Sequence, residues 1–299
     1  MSADLKTGNE QNTVCPDGRN GTGEDLKNGG TRDEAAALRI CGLSVRGYSH
    51  IRSHKECQDY MGICRLPGGK AVLAAADGHG SEGSPYSSAG SAIAVSTFTS
   101  VMREVIESAG GSEEQLATYL HREGNTSVAR SVENEWKRRI RKYHLRHHRS
   151  HKIEGPESLY RLYGTTILGL VLTERYLFAF QIGDGDIIQV DSGTAVHLVR
   201  GEKMLGVETH SLCLGQAWKY AVCAVRKREE AADGPLYMIS TDGFANSYPD
   251  SDAFLAACRD YYETIHAHGF DAASRNLEEW LNQTSRQGCG DDITLILAM

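Results

Sequence analysis

The sequence predicts an α+β fold in which β-sheets are layered between helices. Three observations carry that prediction. Short apolar runs broken by Gly and Pro fill the chain from Leu38 to Ala76 and again from Thr165 to Ile182. Each group of strands is followed by a pair of amphipathic stripes at helical spacing. A final strand, Ile293–Ala298, closes the chain, and strands gathered apart from helices in this way make α+β rather than alternating α/β.

Residues 1–36 are rich in Gly, Asn, Asp, Glu, Lys and Thr and poor in large apolar side chains. Such a segment cannot offset its own ordering entropy, so it is expected to be a disordered tail before one domain over 37–299. With 299 residues and 40% apolar composition, that domain can bury a large core.

The hairpin comes first. Tyr60–Leu66 and Lys70–Ala76 flank Pro67-Gly68-Gly69, a turn in which Pro and Gly set the geometry. Centred on Gly68, it pairs residues whose numbers sum to 136, which sets Asp59 opposite Asp77. A second hairpin, Thr165–Leu172 and Tyr176–Ile182 around Thr173-Glu174-Arg175, is expected to set Asp184 opposite Gly164. Ser84-Pro85 reads as an N-cap and first helical residue. Ser112-x-x-Gln115 is a capping box for the next helix, and helix resumes through Val128, Val132 and Trp136 after Gly124. Phe254 to Ile265, ending at Gly269, and Leu277 to Leu281, ending near Gly288, give the last two stripes.

Isolated aspartates stand at the strand ends: Asp59, Asp77, Asp242 after Leu236–Ser240, and Asp291 before Ile293. If the last two strands are antiparallel neighbours, Asp242 and Asp291 share one sheet edge. Carboxylates converging at a sheet mouth are costly unless a cation compensates them, and hard oxygen donors select Mg²⁺ or Mn²⁺. Two adjacent ions of that kind serve phosphate monoester hydrolysis. His79, with an intrinsic pKa near 6.5, is the natural general acid.

Asp77-Gly78-His79-Gly80, Gly164-Thr165-Thr166, Gly183-Asp184-Gly185-Asp186, Thr241-Asp242-Gly243 and Asp291-Asp292-Ile293-Thr294, in this order, resemble the metal-dependent serine/threonine protein phosphatases of type 2C. The resemblance covers roughly 38–299 and suits a divergent, bacterial-like member. It implies a central sandwich of two antiparallel sheets flanked by pairs of helices, with two Mn²⁺ or Mg²⁺ ions in a cleft at one end. By the family pattern Asp77 bridges both ions and Gly78 adds its carbonyl. Asp242 and Asp291 ligate one ion, Asp59 supports the other, and Asp184 helps to hold a weaker third. Metal-bound water would attack phosphorus in line, and His79 matches the proposed acid.

The departures are specific. Gln58-Asp59 stands for the family's Glu-Asp, and Asp291-Asp292 for its Asp-Asn, which adds a charge. The usual phosphate-binding arginine position is His54, so His54 or Arg52 is expected to meet the substrate phosphate, with His50 and Arg46 as alternatives. Gly183-Asp184-Gly185-Asp186 lacks the usual Ser-Arg ending. Segment 193–233 lies where the family inserts a flap, making Met204-Leu205-Gly206 and His210–Gly215 candidates for substrate selection.

The expected function is therefore hydrolysis of phosphoserine and phosphothreonine in proteins, opposing a cognate kinase. The alternative is a catalytically silent phosphoprotein-binding or regulatory module on the same fold. A net charge of −7 argues against a nucleic-acid partner. Without an apolar run of eighteen residues or an apolar leader, no membrane association and a cytoplasmic location are expected. Eight cysteines without a C-x-x-C pair read as reduced thiols. The run Lys137–Lys152, with eight Lys/Arg and four His, reads as a solvated helix end followed by a loop rather than a docking or metal-binding surface.

Overall fold

Alternation of apolar side chains along the strands decides the layering. In a computed structural model that describes residues 38–151, 153, 155–201, 210–228 and 234–299, strand β1 (Ile40–Val45) leads through a short helix α1 (Tyr48–Arg52) to β2 (Tyr60–Leu66) and β3 (Lys70–Ala76). Helices α2 (Ser87–Ser108), α3 (Glu113–Glu123), α4 (Ala129–His147) and α5 (Pro156–Arg161) follow. Next come β4 (Ile167–Leu172), β5 (Tyr176–Ile182), β6 (Asp186–Asp191), β7 (Thr194–Val199), β8 (Val222–Lys227) and β9 (Leu236–Ser240). The chain ends with α6 (Asp242–Ala245), α7 (Ser251–His268), α8 (Phe270–Gln287) and β10 (Ile293–Ala298).

The strands form two antiparallel five-stranded sheets, ordered β1-β10-β9-β6-β7 and β2-β3-β4-β5-β8. On β3, Ala71, Leu73 and Ala75 face the core shared with Ile187, Tyr237, Ile239 and Ile296 of the other sheet. Val72, Ala74 and Ala76 point the opposite way, onto Phe98, Met102, Trp136 and Ile140 of α2 and α4. On β10 the same period-two rule sends Ile293, Leu295 and Leu297 to α7 and α8. The result is the expected sandwich between helix pairs.

The first hairpin follows the predicted register, Tyr60 opposite Ala76 and Leu66 opposite Lys70. Gly68 and Gly69 both take positive φ, +73° and +68°, a turn open to few other residues. The second hairpin departs by one residue. Its turn is Glu174-Arg175 alone, because Thr173 and Tyr176 already bond each other and Glu113 of α3 accepts the N–H groups of both turn residues. Ile167 lies opposite Ile182, so extension of the ladder sets Asp184 against Thr165, not Gly164.

Helix α2 begins two residues after Pro85, because the Ser84 hydroxyl donates to the Arg161 carbonyl instead of capping. The Ser112 cap of α3 is present, but Gly124 does not interrupt the helix: a π-helical turn, Gly124–Val128, carries α3 directly into α4. The basic run is not wholly solvated either. Within it Ile140 and His144 are buried, and His144 Nδ1 lies 3.1 Å from the Tyr163 hydroxyl.

Of the segment 193–233, Thr194–Val199 and Val222–Lys227 are edge strands of the two sheets. A turn at Ser192-Gly193 between two apolar runs signals the β6–β7 hairpin in the sequence. Met204-Leu205-Gly206 and the tail 1–36 lie outside the described residues. Among the described residues no disulfide forms, and no helix is long and apolar enough to cross a membrane.

Candidate active site

Asp59 and Asp77 lie one step beyond the last pair of the first hairpin, at the open end of one sheet. Asp242 and Asp291 stand at the same edge of the other sheet, because β9 and β10 are antiparallel neighbours with Ser240 opposite Leu295. Asp59 is buried, and its Oδ2 accepts from Thr241 Oγ1 at 2.7 Å and Thr294 Oγ1 at 2.8 Å. These two bonds tie the sheets together at the site. Thr294 N–H in turn donates to Thr241 Oγ1, which fixes that hydroxyl's direction.

Asp77 is clamped through its backbone. Its N–H donates to Thr166 Oγ1 at 3.0 Å, and its carbonyl accepts from Thr165 Oγ1 at 2.8 Å and Thr166 N–H at 2.9 Å. The two threonines therefore hold the site as well as the strand. Segment His210–Gly215 is drawn beside them, since Ser211 Oγ donates to the Thr165 carbonyl and Leu212 N–H does the same.

Among the described residues no Lys or Arg pairs with Asp59, Asp77 or Asp242. Burial raises the Asp59 carboxyl to about 8, helped by the charge of Asp292 and opposed by the two threonine hydroxyls. Burial, then the charges of Asp59 and Asp242, raise Asp77 well above the ordinary carboxylate range. Asp242 is raised to about 6 by burial and by the charge of Asp184. Asp77 and Asp242 also share a hydrogen bond. Among the described residues no three His, Cys, Asp or Glu side chains stand drawn together as a finished ligand set. The donors are nevertheless hard oxygens whose mutual repulsion a divalent cation relieves, the chemistry that suits Mg²⁺ or Mn²⁺.

The backbone N–H of His79 donates to the Gly164 carbonyl, and its ring lies against Gly164, where a Cβ would come within 2.3 Å of Cδ2. Burial lowers its pKa below 6.5, and the charge of Asp184 opposes that shift. Asp184 thus faces both His79 and Asp242. Asp186 turns elsewhere, to His197 Nδ1 at 3.2 Å.

The structure does not bring Arg52 or His54 to the aspartates. Both are exposed, and neither side chain makes a hydrogen bond into the cluster. The imidazole that does face it is His50. Asp292, whose charge acts on Asp59 as expected, is also a buried staple: it accepts from Gly47 N–H at 2.6 Å, Gln58 N–H at 2.7 Å and His50 Nδ1 at 2.8 Å. Gln58 is fixed by its backbone, donating to Asp292 and accepting from Gly78 N–H and Ser91 Oγ. The roles of Thr241 and Thr294 were signalled only by their presence in two of the aspartate motifs.

A sequence profile described as Protein phosphatase 2C matches residues 46–282. No curated protein matches the sequence. Solved structures share the fold. A serine/threonine phosphatase of S. agalactiae is 18% identical with a TM-score of 0.59, covering 87% of this chain and 98% of that one. The catalytic domain of the phosphatase PstP, solved with two manganese ions, is 16% identical with a TM-score of 0.54 over 87% and 97%. Stp1 from Staphylococcus aureus is 13% identical with a TM-score of 0.55 over 91% and 98%. With the profile spanning most of its length, this chain belongs to the protein phosphatase 2C family and is a protein serine/threonine phosphatase.

Proposed function

We propose that the chain hydrolyses phosphoserine and phosphothreonine in proteins with the help of two Mn²⁺ or Mg²⁺ ions, in opposition to a protein kinase. The observation that carries this reading is the group Asp59, Asp77 and Asp242, carboxylates raised by burial and by their neighbours' charges, with no Lys or Arg partner among the described residues. Asp77, the Gly78 carbonyl, Asp242, Asp291 and Asp59 would hold the ions, and Asp184 a weaker third. The two manganese ions bound by PstP support that assignment. Bound metal supplies a nucleophile from water and charge compensation on the phosphoryl oxygens.

The chain's own residues do the rest. Thr165 and Thr166 fix the backbone of Asp77, and Thr241 and Thr294 aim Asp59. His79 gives a proton to the leaving serine or threonine oxygen, and Asp184 favours its protonated form against the effect of burial. His210–Gly215, bonded to Thr165, forms one wall for the substrate's flanking residues. Phosphate release from a phosphopeptide with Mn²⁺, with Mg²⁺ and with chelator tests the reading. Turnover with metal and none with chelator is expected; turnover in chelator, or phosphopeptide binding without turnover at saturating Mn²⁺, overturns it.

A further inference from the structure

His50 has no part in the chemistry above, yet it is held as firmly as any residue in the site. Its side chain is only 16% exposed, with Nδ1 2.8 Å from Asp292 Oδ1 and Nε2 3.7 Å from Asp291 Oδ1. Asp292 accepts from two backbone N–H groups, and because a carboxylate oxygen accepts, His50 Nδ1 is the nitrogen that donates to it. That leaves Nε2 as the nitrogen turned towards Asp291 and placed to meet a cation. Nε2 and Asp291 Oδ1 face each other at 3.7 Å, beyond hydrogen-bond distance. Donors that each stand about 2.0–2.2 Å from one ion are separated by roughly 3–4 Å, the range in which this pair falls. A carboxylate on the far nitrogen is also how proteins commonly orient a ligating histidine.

We propose that His50 is a nitrogen ligand to the ion held by Asp291, aimed by Asp292. The inference rests on the metal-dependent reading of the site. Imidazole is a softer donor than carboxylate, so it shifts the preference of this position from Mg²⁺ towards Mn²⁺ and later first-row metals. Arg52 and His54, two and four residues after His50, are exposed, whereas α1 turns His50 inward.

Pulsed electron paramagnetic resonance of the Mn²⁺-loaded full chain tests it, because a directly bound imidazole imprints ¹⁴N modulation on the Mn²⁺ signal. Modulation is expected in the wild type, altered by ¹⁵N-histidine labelling and absent in His50→Gln, which keeps an N–H donor for Asp292. Calorimetry should show Mn²⁺ affinity reduced by about tenfold or more in the variant, and Mg²⁺ affinity by much less. Mn²⁺ bound without nitrogen modulation, or modulation that survives in His50→Gln, overturns the proposal. So does a raised KM for phosphopeptide with metal affinity unchanged, which makes His50 a phosphate contact. The wild-type spectrum decides even if the variant does not fold. Failure of the wild type to bind Mn²⁺ at all overturns the metal-dependent reading with it, and is thereby told apart.

Discussion

Replacing Asp242 by Asn should stabilise the metal-free protein while abolishing hydrolysis. Burial and the charge of Asp184 raise this carboxyl from an ordinary 3.8 to about 6. The difference of about 2.2 pH units, at 1.36 kcal/mol each, sets the ionised form at a disadvantage of about 3 kcal/mol in the folded chain. The folded state binds the proton more tightly than the unfolded one. Its contribution is thus complete below the unfolded pKa and is lost as pH rises through about 6. Asn is neutral throughout and keeps an amide for the bond to Asp77. In chelator, Asp242→Asn should gain up to about 3 kcal/mol at pH 8 and about half of that at pH 5, seen as a melting temperature higher by roughly 6 °C at the alkaline end. Mn²⁺ should reverse the order, since only the wild type gains binding free energy. Differential scanning fluorimetry at both pH values, with chelator and with Mn²⁺, measures all four cases. A variant that melts below the wild type in chelator at pH 8 refutes the argument that this carboxylate is held against its own preference.

Three further outcomes follow from the same geometry. Gly164→Ala sets a methyl group within 2.3 Å of the His79 ring, so kcat on a phosphopeptide should fall by about 100-fold or more. The loss on p-nitrophenyl phosphate should be much smaller, since its leaving group needs no proton; equal losses would remove His79 from the acid's role. Thr294→Val removes a hydroxyl that donates to Asp59 and bonds Ser44, and should cost about 1.5–3 kcal/mol of metal-free stability in urea unfolding. Glu113→Ala leaves two turn N–H groups without their acceptor and removes one of two acceptors of the Thr173 hydroxyl; a cost of about 1–3 kcal/mol with kcat unchanged is expected, and altered kcat would show that the hairpin register reaches the site.

What was legible in the sequence was what a short stretch of chain decides by itself. Gly68 and Gly69 fix their own turn, so counting outward from it finds the true partner of every residue to Ala76. The second hairpin slipped by one because its turn is chosen by Glu113, some sixty residues away, which no local count can see. Ser84 looked like a cap for the same reason: its true acceptor, the Arg161 carbonyl, is remote in sequence. The aspartate cluster could be read because motif order fixes which strand ends converge. The bonding role of Asp292 beside Asp291 could not. Asp291 and Asp292 differ by one position at the mouth of β10, and only the approach of Gly47, His50 and Gln58 turns Asp292 into a buried acceptor.

That approach also explains why the site sits where it does. Each sheet alone ends in carboxylates that face one another, an arrangement that works against closing the sandwich at that end. The hydroxyls of Thr241 and Thr294, from one sheet, reach Asp59 at the end of the other. Asp292 accepts from Gly47 and Gln58, one on each side of α1. These bonds and the apolar core between the sheets hold the carboxylates together despite their repulsion. Under the proposed metal-dependent reading, closure of the two sheets and cation binding would be coupled: whatever repulsion the core sustains in the metal-free chain, an ion at the same edge would convert into affinity. A mutation that loosens the core near Ile239 and Ile296 should then weaken metal binding without touching a ligand, whereas one that neutralises a carboxylate strengthens the fold and forfeits the ion.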